Sequence, residues 1–188
     1  MKKILLFSLL SFNFASSEII SLSPTTSNSS LIDIETNLLT YVNFATKWTS
    51  YLYLSEPLPK IKIERDGLVQ IYAYGDYVVA QAERNQKSLP AVNAIYDRYN
   101  KTIYISDKVD LKNKSLEVTL VHEIVHYLQD INGYTDSLGD QNIACTESEA
   151  YDVQQLWQIE FNIDIELLPF VREQSLFSSM KCMGNQFN

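Results

Sequence analysis

The sequence predicts an α+β domain, and three observations carry that expectation. Apolar residues recur at intervals of three and four from Leu31 to Leu54. Period-two or β-rich stretches follow at Lys60–Glu64 and between Ile95 and Ser106. Helical spacing then returns twice, over residues 115–131 and 146–161.

The first helix places Leu31, Ile34, Leu38, Val42, Ala45, Trp48 and Leu52 on one face, the pattern of a packing helix. Glu56-Pro57-Leu58-Pro59 ends it, because a residue before proline is pushed out of helical geometry. Lys60-Ile61-Lys62-Ile63-Glu64 alternates polar and apolar, as a half-buried strand does. Asp66-Gly67 marks a turn, with a short helix around Leu68–Ala73 and no clear period from there to Gln86. Ile95–Arg98 and Thr102–Ser106, joined by Tyr99-Asn100-Lys101, read as a hairpin. Ser115 is placed to cap the next helix, whose stripe comprises Leu116, Val118, Val121, Ile124, Val125, Leu128 and Ile131, and Asn132-Gly133 stops it. The last helix runs from near Thr146 to Phe161, with Ala150, Val153, Leu156, Trp157 and Phe161 facing inward.

Composition sets outer limits. The 188 residues carry 15 Lys and Arg against 23 Asp and Glu, a net charge of −8, and no stretch gathers basic residues into a stripe. Nucleic acid is therefore not an expected partner. Twelve Tyr and eight Phe supply the bulky surface a folded core needs, which excludes disorder as the main state.

Residues 1–17 read as a signal peptide. Met1-Lys2-Lys3 is a positive start, Ile4–Phe14 an apolar run too short to span a bilayer, and Ala15-Ser16-Ser17 a small-residue site placing cleavage before Glu18. No cysteine lies near that point to accept a lipid. Residues 18–30, with Ser21–Ser30 rich in Ser and Thr, read as a leader, and 31–188 as a single domain. Export to the periplasm or the exterior follows, without stable membrane insertion. Cys145 and Cys182, an even pair in such a compartment, are expected to form one disulfide, the alternative being two buried thiols.

The chemistry is concentrated in His122-Glu123-Ile124-Val125-His126 on the helix after the hairpin. Residues four apart share a helix face, so both imidazoles can reach one ion, with Glu123 beside the open coordination side as general base. The alternative is a pair of surface histidines bonded to neighbours, but both of the chain's two histidines fall here. On this reading His122 and His126 emerge on a polar face flanked by Thr119, Gln129 and Asp130. A catalytic zinc site takes three protein ligands, so with no third histidine the last must be a carboxylate. Glu147 and Glu149 both stand in Thr146-Glu147-Ser148-Glu149-Ala150-Tyr151.

At these residues the chain resembles the gluzincin-type zinc metallopeptidases, in which His-Glu-x-x-His is followed twenty or more residues later by a helix bearing Glu-x-x-Ala. Twenty residues separate His126 from Glu147, and Glu147-Ser148-Glu149-Ala150 matches that register. The resemblance thus favours Glu147 as the third ligand. Glu149 competes, but Thr146 and Glu149 also have the spacing of a capping box. The same core is similar to that of small exported bacterial metallopeptidases with His-Glu-x-Val-His-x-x-Gln.

The resemblance implies a zincin-like fold, with a small sheet or hairpin packed on the active-site helix, bound zinc, and a peptide or protein substrate. It also implies that Thr102–Ser106 is an edge strand along which substrate pairs; an ordinary hairpin covering the core is the alternative. Two positions depart from the pattern. Tyr151 stands where many gluzincins have an Asp that orients a zinc-bound imidazole, which leaves Asp152 or a backbone carbonyl to substitute. Thermolysin-like enzymes use a further histidine on the oxyanion, and here Tyr127, Tyr134 and Tyr151 are the nearest donors in sequence. The reading is a secreted or periplasmic zinc metallopeptidase, against an exported, non-catalytic zinc-binding or assembly protein on the same scaffold.

Overall fold

The computed structural model describes residues 27–53, 55–134 and 143–163. The expected signal peptide and Cys182 lie outside them. Among the described residues five helices and three strands form a mixed α+β arrangement.

Helix α1 spans Ser27–Trp48, so it begins inside the stretch expected as a leader and stops earlier than its apolar period suggests. Ile34, Leu38, Val42 and Ala45 are buried as expected, joined by Tyr41 and Phe44. Trp48, the last residue of the helix, and Leu52, beyond the bend at Thr49-Ser50, are exposed instead. The turn brings Tyr51 back under the domain, where it is buried.

Strand β1 is Lys60–Glu64, as its alternation predicts. The weakly patterned stretch after it forms two helices, α2 (Asp66–Tyr74) and α3 (Asp76–Arg84). Gly75 separates them at φ +83°, a backbone region that glycine enters without steric cost. Strands β2 (Ala94–Asp97) and β3 (Thr102–Ser106) form the expected hairpin.

The sheet order is β1-β3-β2, with β1 parallel and β2 antiparallel to β3. Thr102–Ser106 is therefore the central strand and not the edge. Lys60–Glu64 occupies its outer side in register with it, Ile61 beside Ile103 and Ile63 beside Ile105. All five β3 residues are buried, as befits a strand flanked on both sides. The edge that faces the helices is β2.

Helix α4 spans Lys114–Ile131. Asn113, not Ser115, caps it: the Asn113 side chain accepts the Ser115 N–H at 2.9 Å. Its stop is the expected one. Gly133, at φ +69°, lets the Tyr134 N–H reach the Gln129 carbonyl at 2.9 Å and closes the last turn. The helix lies against α1, α5 and β2, and is buried on nearly every face, Leu120 and Tyr127 included. The two histidines thus emerge into a cleft rather than onto a polar surface. Truncating a wholly buried side chain such as Leu120 or Ile124 to Ala would cost about 2–5 kcal/mol.

Helix α5 spans Ile143–Glu160. Ala150, Val153 and Trp157 are buried, Leu156 partly so, and Phe161 remains half exposed while its ring rests on Trp157 at 4.0 Å. Trp157 also meets Tyr41 and Phe44 edge to face, at 5.2 and 4.8 Å, which locks α5 to α1. Because α5 starts at Ile143, Thr146 lies within its first turns and cannot cap it. The expected capping box is absent.

Candidate metal centre

One turn of α4 separates His122 from His126, and their Nε2 atoms converge to 3.1 Å. Helix α5 brings Glu147 against both: Oε2 lies 3.4 Å from His122 Nε2, and Oε1 lies 3.3 Å from His126 Nε2. His122 is buried, so the alternative of surface histidines does not hold.

These three separations test whether the residues fit a metal. Zinc–nitrogen and zinc–oxygen bonds of about 2.0–2.1 Å in a tetrahedron require donor atoms about 3.3–3.4 Å apart. The two nitrogens stand 3.1 Å apart and each has a different Glu147 oxygen within 3.3–3.4 Å; with one atom taken from each residue the three lie within 4.8 Å of one another, close enough to share one ion. Two imidazoles and a carboxylate are also a donor set of the right chemistry. Glu149 is not part of this group: its Oε2 accepts the Tyr51 hydroxyl at 2.7 Å.

The electrostatics without an ion reflect the same crowding. Burial works against a charge on His126, yet the Glu147 carboxylate beside it lifts its pKa to about 9. Burial would raise Glu147, but the two imidazoles override it and hold the carboxyl well below the usual range. Glu123 is buried, and that burial pushes its pKa up despite both histidines. A raised carboxylate next to an ion site has the affinity for a proton that a general base requires.

Glu123 is held from the sheet. Its Oε2 accepts the backbone N–H of Tyr96 on β2 at 2.7 Å. The same tyrosine's hydroxyl donates to Asp130 at 2.7 Å, and Lys101 pairs with that carboxylate. Tyr96 therefore ties the edge strand to both ends of the functional half of α4.

A cavity of about 630 Å³ opens over this group. Its floor holds His122, Glu123, His126 and Glu147; Ala73, Tyr74 and residues 91–96 form a largely apolar wall. Antiparallel pairing alternates, and the Asn93 carbonyl accepts the Ser106 N–H. Ala94 and Tyr96 therefore turn their backbone groups away from β3, as the Tyr96–Glu123 bond illustrates.

Of the three tyrosines considered as oxyanion donors, Tyr151 lines the cavity, its ring 4.6 Å from that of His122. Burial, then Glu147 and Glu123, push its pKa up to about 12, so the phenol stays protonated. Tyr127 donates to the Pro57 carbonyl at 3.2 Å and Tyr134 packs on Tyr51, neither lining the cavity. Asp152 is exposed on α5 and does not orient a histidine. That place is taken by Gln129, whose Oε1 meets His126 Nδ1 at 2.8 Å. Expected on a polar flank, Gln129 is wholly buried. Its spacing three residues after His126 was the available signal, since such pairs meet on a helix. Cys145 lies near the start of α5, and its expected partner Cys182 is outside the described residues.

Compared with protein-family models, curated proteins and solved structures, the chain returns no match.

Proposed function

We propose that the protein is an exported zinc metallopeptidase of zincin-like fold, with His122, His126 and Glu147 on the ion and Glu123 as the general base. The observation that carries this reading is the convergence of His122, His126 and Glu147, one ligand atom from each within 4.8 Å of the others, with a buried carboxylate beside them. When bound, zinc supplies Lewis acidity, which acidifies a water and polarises a carbonyl.

The chain's own groups do the rest. Glu123 keeps Oε2 on the Tyr96 N–H, and Oε1 takes a proton from the attacking water and returns it to the departing amine. Tyr151 donates its hydroxyl proton as a hydrogen bond to the oxygen on which charge develops. An extended peptide pairs with the outward N–H and C=O of Ala94 and with the C=O of Tyr96, whose N–H stays on Glu123, so β2 replaces Thr102–Ser106 as the docking strand. The apolar wall at Ala73, Ala91 and Val92 favours an apolar side chain in that peptide.

Export rests on the pattern of residues 1–17, and no helix among the described residues is long and apolar enough to cross a membrane. A Cys145–Cys182 disulfide belongs to the same proposal; no free thiol occurs among the described residues.

Metal analysis of the purified protein tests the centre: one zinc per chain, lost in His122→Ala/His126→Ala, is the expected result. No zinc after reconstitution rejects it. Glu123→Gln then separates an enzyme from a zinc-binding scaffold, because an enzyme keeps the ion and loses peptide hydrolysis, whereas a scaffold keeps its biological effect.

A further inference from the structure

Beneath the triad runs a buried polar chain that the metal-binding pattern does not require. The Tyr51 hydroxyl donates to Glu149 Oε2 at 2.7 Å. Gln129 Nε2 donates to the same oxygen at 3.1 Å and to the Thr146 carbonyl at 3.0 Å. Gln129 Oε1 then faces His126 Nδ1 at 2.8 Å. Gln129 itself has no solvent exposure.

The donors and acceptors permit one orientation. The Thr146 backbone carbonyl can only accept, so the NH2 end of Gln129 must face it and the Glu149 oxygen beside it. Flipping the amide would set its oxygen against two acceptors in a buried site. With Oε1 thereby fixed toward the histidine, Nδ1 of His126 must carry a proton. Nε2 is then the ring atom turned to Glu147 and His122 and the one left to an ion. His122 Nδ1, by contrast, is buried without a partner.

We infer that Gln129 is a positioning residue, locked by Glu149, Tyr51 and the Thr146 carbonyl, that sets the tautomer and ring plane of His126 and ties it to the α5 turn bearing Glu147. The inference rests on the metal reading above. It assigns a function to Glu149, the carboxylate that the ion does not need. It also gives Tyr51, 98 residues away in sequence, a place in the centre's support. Three segments, the turn after α1, helix α4 and helix α5, are thus joined through one amide.

The test uses the full chain and two readouts, zinc affinity by chelator competition and the His126 Nδ1–H resonance in 15N-labelled protein. Gln129→Met keeps the length and removes every hydrogen bond. It is expected to weaken zinc binding about 10–100-fold and to expose the Nδ1 proton to rapid solvent exchange. Gln129→Glu with Glu149→Gln keeps an acceptor on Nδ1 and restores the contact at position 149 but sets an oxygen against the Thr146 carbonyl, and is expected to recover only part of the loss. If Gln129→Met does not fold, Tyr51→Phe decides, with affinity falling about twofold to tenfold, the span of one hydrogen bond. Wild-type affinity and an unchanged resonance in a folded Gln129→Met, or in Tyr51→Phe when that variant must decide, overturn the inference. If the wild type binds no zinc, the metal reading fails, and the resonance in metal-free protein still decides whether Gln129 orients His126.

Discussion

The backbone N–H of Tyr96 reaches Glu123 Oε2 at 2.7 Å, so the proposed base is oriented by the strand on which substrate would lie. A main-chain donor cannot be removed by ordinary substitution, and a carboxylate held this way has one oxygen committed and one available. Glu123→Gln preserves the bond, because an amide oxygen accepts equally well. It also relieves the burial of a charge. The metal-free variant is therefore expected to be more stable than wild type at neutral pH, by about 0.5–2 kcal/mol, while turnover falls about 10²–10⁴-fold. Denaturant unfolding beside a peptidase assay checks both, and a destabilised variant would contradict the account of Glu123.

Protons and zinc compete for the same atoms. His126, lifted from 6.5 to about 9, contributes stability to the metal-free fold that is complete below its unfolded pKa and lost as pH rises through 9. Glu147, depressed from 4.5, contributes stability that is present above that value and lost as pH falls toward its folded pKa. Thermal stability without metal is thus expected to peak between about pH 5 and 6.5 and decline toward pH 9. Zinc must displace the His126 proton, so its apparent affinity is expected to rise about tenfold per pH unit from 7 to 9. A chelator titration at several pH values measures that slope.

Tyr151 lies on the cavity with its phenol held neutral, and Tyr134 does not line the cavity. Tyr151→Phe should lower kcat about 10²-fold with little change in KM. Tyr134→Phe should leave both parameters as they are. Equal effects from the two variants would remove Tyr151 from the mechanism.

The bond from the Tyr96 hydroxyl to Asp130 crosses from sheet to helix at a partly buried site. Tyr96→Phe is expected to cost about 1–2 kcal/mol, read from urea unfolding. Lys101→Met, which removes a half-exposed ion-pair partner of the same carboxylate, should cost under about 1 kcal/mol.

The sequence carried most of the local structure. Period-two alternation located β1 to the residue, and the hairpin's β-branched and aromatic runs located β2 and β3. His122, Glu123 and His126 were legible because one helix carries all three, and helical spacing alone brings them together. Which strand forms the edge was not legible. It depends on Lys60–Glu64 pairing with Thr102–Ser106 across forty residues, and no local pattern encodes that choice. The unbroken burial of Thr-Ile-Tyr-Ile-Ser is the physical mark of a central strand, but half-buried and fully buried strands of five residues read alike. Glu149 looked like a capping residue because its spacing from Thr146 fits one. The helix begins three residues before Thr146, so that the carboxylate turns to Gln129 and Tyr51 instead.

Since β1 and β2 occupy opposite edges of the sheet, the chain between them, residues 65–93, must travel from one side of β3 to the other. It does so through α2 and α3 and returns as the apolar wall over the four site residues. None of those four belongs to this segment. Substitutions and length changes there can reshape what enters the cleft while leaving His122, His126, Glu147 and their supports unaltered. On the proposed reading, heredity can thus vary diet and chemistry separately, with one stretch of chain acting as the interchangeable part.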